Sequence, residues 1–128
     1  MSEVTVIGAG LAGCEAAMQL ARRGIKVRLV EMKPRKLSPA HKSPLFAELV
    51  CSNSLKASRV DSAAGLLKAE MRKFGSVCLN SADNASVAAG GALAVDREKF
   101  AAGVTDAVKA NPNITVEETE AEDIPQDG

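Results

Sequence analysis

The sequence predicts an α/β domain built on a parallel sheet, and three observations carry that prediction. A short apolar run, Val4 to Ile7, ends at a glycine and is followed by a helix-favouring stretch and a second apolar run. Helix-like and strand-like segments then continue in alternation along the chain. No internal repeat and no low-complexity tract breaks that order.

Each element has a local reason. Val4 to Ile7 is a short β-rich apolar run, and a first strand that opens a parallel sheet is expected to be buried on both faces and need not alternate. Leu11 to Arg23 favours a helix whose apolar side, Ala12, Ala16, Ala17, Leu20 and Ala21, is made mostly of small groups that let it sit close to a sheet. Arg22 and Arg23 put cations in the last turn, and Gly24 offers the left-handed stop. Lys26 to Glu31 reads as the second strand. Pro34, Pro39 and Pro44, set among bases and serines, predict a long surface loop over Lys33 to Pro44. Asp61 or Ser62 can cap a helix running to Phe74 and closed by Gly75, in which Leu67, Met71 and Phe74 at i, i+4 and i+7 read as a core face. Leu93 to Val95 reads as a short strand. Asp96 caps a helix presenting Phe100, Val104 and Val108 on one face, Asn111-Pro112 stops it, and Ile114 to Val116 begins another strand. An acidic tail follows, so residues 1–128 are expected to form one domain, the N-terminal part of a larger sheet.

Composition excludes several classes. Apolar residues at 46% and charged residues at 25% are ordinary for a globular chain and argue against disorder. No apolar stretch approaches the roughly 20 residues that span a bilayer. Lys plus Arg and Asp plus Glu are 16 each, so net charge names no partner. Their distribution is uneven: Arg22 to Lys42 holds eight basic residues against Glu31 alone, and Ile114 to Gly128 holds six acids and no base. The basic stretch suits phosphates of a cofactor or of RNA, or simply a solvated face. Cys14, Cys51 and Cys78 are odd in number with no CxxC pair, which predicts reduced thiols in a cytoplasm, no disulfide framework and no metal site.

Gly8, Gly10 and Gly13 form G-x-G-x-x-G directly after a strand and at the opening of a helix, and Glu31 ends the next strand about 20 residues on. This is the Rossmann-like dinucleotide unit. Gly8 permits the tight turn, Gly10 lets the backbone approach a pyrophosphate, and Gly13 allows close helix-to-strand contact. No acid precedes Glu15 in the helix, so its first N–H groups and positive dipole end are free for an anion. Glu31 can accept hydrogen bonds from a ribose and would repel a 2′-phosphate, against NADP at this site. Gly8, Ala9, Gly10, Leu11, Ala12, Gly13 and Glu31 are thus the candidate cofactor-binding residues. FAD and NAD share the unit, and the glycines do not choose between them.

Three further blocks bear on that choice: Ala40-His41-Lys42, Phe46-Ala47-Glu48-Leu49-Val50-Cys51-Ser52-Asn53-Ser54-Leu55-Lys56, and Gly90-Gly91-Ala92-Leu93-Ala94-Val95-Asp96-Arg97. With Gly8 to Ala17 they resemble the folate- and FAD-dependent tRNA (uracil-5-)-methyltransferases over essentially the whole chain. The segment around Cys51 is far more specific than the glycine loop. Ala89 stands where that family usually has proline, and the chain is shorter than the family's usual extent. The resemblance implies a Rossmann-like FAD-binding fold, incomplete in this chain. It also implies transfer of a one-carbon unit from methylene-tetrahydrofolate to carbon 5 of a tRNA T-loop uridine. Methylene carbon needs a hydride to become methyl, which reduced flavin delivers after reduction by NADPH or NADH. Uracil carbon 5 becomes nucleophilic once a thiolate adds at carbon 6.

Cys51, inside the distinctive block and beside Ser52, Asn53 and Ser54, is the catalytic candidate, those polar groups being placed to lower a thiol pKa. The family uses a second cysteine whose region lies beyond Gly128, so which thiol attacks uracil stays open. Cys14 reads as helix packing, Cys78 as a loop residue, and His41 as an ordinary loop histidine, a proton carrier or a phosphate contact. With no Trp or Tyr and only Phe46, Phe74 and Phe100 aromatic, this stretch offers little platform for a flipped base. The competing readings are a related flavoprotein that installs carboxymethylaminomethyl groups on anticodon uridine, and an inactive FAD- or NAD-binding module.

Overall fold

In the computed structural model, which describes residues 3–128, the two apolar runs become β1 (Val4–Ile7) and β2 (Val27–Glu31), parallel, with Val4 opposite Val27 and Ile7 opposite Val30. Between them runs α1 (Leu11–Arg22), capped by Arg23 and followed by Gly24 at φ +79°. Its buried residues are Cys14, Ala17, Met18 and Ala21. Ala12 and Ala16, expected on the apolar side, are exposed instead. The cause is Gly13, which faces Gly8 and Val6. Ala17 and Ala21 lie on its row and turn inward, while Ala12 and Ala16 rotate out.

The third strand of this sheet, β6 (Ile114–Glu118), pairs parallel with β2, so the order is β1-β2-β6. On the other edge, the Gly128 carbonyl accepts from Thr5 N–H at 2.9 Å. The acidic and basic stretches face each other here: Lys36 meets Glu120 at 2.7 Å and Arg28 meets Glu117 at 3.6 Å. Part of the basic stretch is therefore already paired within the chain.

Leu93 to Val95, expected as a further strand of the parallel domain, belongs to a second sheet, in a strand that starts one residue earlier. There β3 (Ser54–Ala57), β4 (Ser86–Val87) and β5 (Ala92–Val95) lie antiparallel in the order β3-β5-β4. Neither β3 nor β4 is anticipated from sequence, since both are short, polar and largely exposed. Without such partners the pairing of β5 has no local signal.

Ser62 caps α2 (Ala63–Lys73) by accepting from Gly65 N–H, as expected. The core face assigned to this helix is a correction: Leu67 is 56% and Phe74 68% exposed. Its buried residues are Gly65 and Lys68. A Cβ at Gly65 would stand 1.8 Å from the Arg59 carbonyl oxygen, so the backbone itself is seated there; Leu67 and Phe74 turn away, and of the expected face Met71 alone packs against the core. Lys68 lays its stem inward and donates to the Ala57 carbonyl at 3.1 Å.

Cys78 is likewise not in a loop. It is buried in α3 (Val77–Asn84), a helix whose N-terminus is held by α1: the Glu15 carboxylate accepts from Ser76 Oγ at 2.6 Å, Val77 N–H at 3.1 Å and Cys78 N–H at 3.2 Å. Burial alone would raise the Glu15 pKa, but the hydrogen bonds from Ser76, Gln19, Cys78 and Val77 outweigh it and hold it below the usual value of 4.5. A depressed folded pKa contributes stability above the unfolded value, and that contribution disappears as pH falls through the folded one. Glu15→Gln is therefore expected to cost about 1–3 kcal/mol at neutral pH, with the gap to the parent protein closing below pH 4.5. Urea denaturation from pH 7 to pH 3 checks both parts.

The last helix, α4 (Arg97–Ala110), starts at the Asp96 cap and buries Phe100, Val104 and Val108 completely, as its period predicts. Together with Val27, Leu29 and Val95 they form the centre of the core. That core backs the first sheet and leaves the glycine loop at its rim.

Candidate functional site

The turn from β1 into α1 is shaped by glycine. Gly8 has φ +95°, and a Cβ at Gly13 would lie 1.8 Å from the Gly8 carbonyl oxygen. Gly10 is the helix N-cap, no side chain caps the first turn and no acid occupies it. Nothing lies within 4 Å of where a Gly10 Cβ would be, so the space in front of the turn is open. Among the described residues, the N–H groups of Gly10 to Gly13 have no partner. Open space, unpaired donors and a positive helix end suit an anion such as a diphosphate.

Gly8, Ala9, Gly10 and Glu31 line one cavity of about 240 Å³. Glu31 is 8% exposed and fixed by Ala9 N–H at 2.8 Å, and it presents its carboxylate at the carboxyl end of β2. Leu11, Ala12 and Gly13 do not line that cavity; they form the first turn of α1, with Leu11 partly packed on the core, Ala12 exposed and Gly13 against Gly8. The remaining wall comes from Met32, Lys33, His41, Ala47 and Glu48. Of these five, sequence points only to His41, as one reading of it is a phosphate contact. For the others the only available hint was the block resemblance, because loop residues carry no period.

The Phe46–Glu48 segment is tied to the turn directly. Ala47, at φ +52°, donates its N–H to the Ala9 carbonyl at 2.9 Å, and Phe46 N–H reaches Thr105 Oγ1 on α4 at 2.9 Å. His41 contacts Ser38 through Nδ1. Four residues after Ala47, Cys51 sits exposed in the long connection between β2 and β3. Its polar neighbours are engaged elsewhere: Asn53 donates to the Val95 carbonyl, while Ser52 and Ser54 accept from backbone N–H groups two residues on. These bonds form the turn into β3 and none of them reaches the Cys51 sulfur. Arg97, at the start of α4, donates to the Leu49 carbonyl at 3.4 Å and so braces the same connection.

The other two thiols are of a different kind. Cys14 donates to the Ala9 carbonyl at 3.4 Å and Cys78 to the Leu11 carbonyl at 3.5 Å. Burial, reinforced by the Glu31 and Glu15 charges, pushes Cys14 up to about 12. Burial and Glu15 push Cys78 upward as well. Both remain protonated and inert at neutral pH. At pH 8 a chromogenic disulfide is expected to titrate one thiol rapidly in the folded protein, and all three after denaturation.

Against known proteins, residues 3–128 match the family model described as glucose inhibited division protein A. The methylenetetrahydrofolate--tRNA-(uracil-5-)-methyltransferase TrmFO of Acetivibrio thermocellus is 58% identical over 125 residues, 98% of this chain and 29% of that protein. Its counterpart from Anoxybacillus flavithermus is 61% identical over 123 residues, 96% of this chain and 28% of the relative. The chain thus spans under a third of the length of the curated relatives it matches. Among solved structures, Aquifex aeolicus GidA superposes with a TM-score of 0.71 at 17% identity, over 91% of this chain and 19% of that one. The p-nitrophenol 4-monooxygenase PnpA of Pseudomonas putida superposes at 0.62 and 16% identity, over 99% and 35%. At such identities the structural likeness speaks for the fold, a Rossmann-like parallel unit.

Proposed function

The chain belongs to the glucose inhibited division protein A family, and from that premise we propose that it is the FAD-binding part of a folate-dependent tRNA (uracil-5-)-methyltransferase. The observation that carries the reading is the turn from β1 to α1: unpaired N–H groups, open space at Gly10 and the buried Glu31 carboxylate converge on one cavity. Relatives bearing the methyltransferase name share 55% to 61% identity along almost the whole chain, which supports that activity over the carboxymethylaminomethyl alternative.

In this reading Gly8 to Gly13 hold a diphosphate by backbone N–H groups, and Glu31 accepts from a ribose hydroxyl. Bound there, FAD supplies the hydride that turns a methylene carbon into a methyl group. Cys51 is the nucleophile assigned to carbon 6 of the uracil. Its exposure leaves the sulfur accessible to a base swung out of tRNA. Methylene-tetrahydrofolate is the carbon donor, and NADPH or NADH the reductant. Three unpaired thiols fit a cytoplasmic setting, and no helix among the described residues is long and apolar enough to cross a membrane.

Two measurements test this. The protein is expected to bind FAD, seen as quenching of flavin fluorescence, and NADP is expected not to displace it from this cavity; binding of NAD in preference to FAD overturns the cofactor. The full-length protein, given labelled methylene-tetrahydrofolate, NADPH and tRNA lacking 5-methyluridine, is expected to label uridine carbon 5. Failure of label to reach the tRNA overturns the activity.

A further inference from the structure

The nucleotide cavity and the Cys51 segment are joined by one buried ion pair. Lys33 Nζ stands 3.0 Å from Glu48 Oε2, with the two side chains 4% and 14% exposed. Lys33 follows β2 closely, and its N–H points at Glu31 from 3.4 Å while its Nζ also donates to the Leu45 carbonyl at 3.0 Å. Glu48 gathers the N–H groups of Lys42 at 3.0 Å and Ser43 at 2.7 Å, folding that stretch back on itself. Burial alone would raise Glu48, but those bonds and Lys33 outweigh it and hold it below the usual carboxylate value. A closed ring results, running from Glu31 through Ala9, Ala47, Glu48 and Lys33 back to Glu31. Glu48 also lines a second cavity of about 390 Å³, as does Arg97.

A buried ion pair adds little stability over an apolar pair of equal volume, and its best-attested use is to fix a register. In a trans peptide the carbonyl and the following N–H point in opposite directions. The Ala9 carbonyl, held by Ala47 N–H and Cys14 Sγ, therefore aims Gly10 N–H away from the core and toward the open side. An anion on that N–H stiffens the same peptide that holds Ala47. We propose that the Lys33–Glu48 pair is a positioning latch: it couples filling of the nucleotide cavity to placement of the segment that carries Cys51. The coupling rests on the reading that this cavity takes a nucleotide.

Amide hydrogen exchange with ADP as the probe separates the two ideas. In the parent protein, saturating ADP slows exchange at Gly10 to Ala12, at Ala47 through its bond to the Ala9 carbonyl and, through the latch, at Ser43 by about 10-fold. In Lys33→Met/Glu48→Gln, which removes both charges at similar volume, ADP raised until that variant is saturated protects the glycine turn while Ser43 changes by less than about 2-fold. Lys33→Arg, which keeps the charge, retains the coupling; Glu48→Gln alone serves if the double variant does not fold. Undiminished protection of Ser43 without the ion pair overturns the latch. No protection of the glycine turn in the parent protein overturns the nucleotide reading itself.

Discussion

Gly13→Val is expected to abolish nucleotide binding and to lower stability by about 3 kcal/mol or more. The added Cβ would lie 1.8 Å from the Gly8 carbonyl oxygen and 3.0 Å from its carbon, both backbone atoms. The turn has little freedom to yield. Ala9 is held on one side by Glu31 and on the other by Ala47 and Cys14, and Gly8 already occupies φ +95°. Relief requires α1 to lift from β1, which uncovers Ala17 and Ala21 and displaces the first-turn N–H groups. Gly10→Ala is the control, because nothing stands within 4 Å of its added Cβ. It is expected to fold normally and to weaken FAD binding alone, by filling the space a diphosphate needs. Urea denaturation and FAD titration of both variants check the contrast; a Gly13→Val protein that melts and binds like its parent refutes the close approach.

Cys51→Ala in the full-length protein is expected to reduce methyl transfer by about 1,000-fold or more, as loss of a nucleophile does. FAD binding and stability should stay within about 0.5 kcal/mol of the parent, since Cys51 is exposed and makes no hydrogen bond among the described residues. Cys14→Ala gives the opposite pattern: it takes a donor from the Ala9 carbonyl in a fully buried position, so stability falls. Single-turnover transfer assays beside flavin titrations distinguish the two. Transfer that persists at the parent rate in Cys51→Ala reassigns the thiol while leaving the flavin site standing.

Local chemistry made much of the fold legible. The β1-α1-β2 unit, the Ser62 and Asp96 caps and the Phe100-Val104-Val108 face all depend on residues within one or two turns of each other, and each is found. Gly8, Gly10 and Glu31 were legible for the same reason, a short spacing with one geometric meaning. The face of α2 misled because apolar residues at helical spacing report amphipathicity and not the neighbour; Gly65, which seats the helix, has no side chain to count. Cys78 and Glu15 were unreadable together, since what buries one and engages the other is a contact across 63 positions.

Short-range pattern thus settled the β1-α1-β2 unit, α2 and α4, and the placing of Gly8, Gly10 and Glu31 around one turn. Folding in three dimensions decided the rest: that β5 pairs antiparallel with β3 and β4, that Glu15 anchors α3, and that Lys33, Ala47 and Glu48 enclose the cavity at the glycine turn beside Glu31. Backbone torsions and caps are set by near neighbours, whereas enclosure and ion pairing depend on which distant segments share the same small volume.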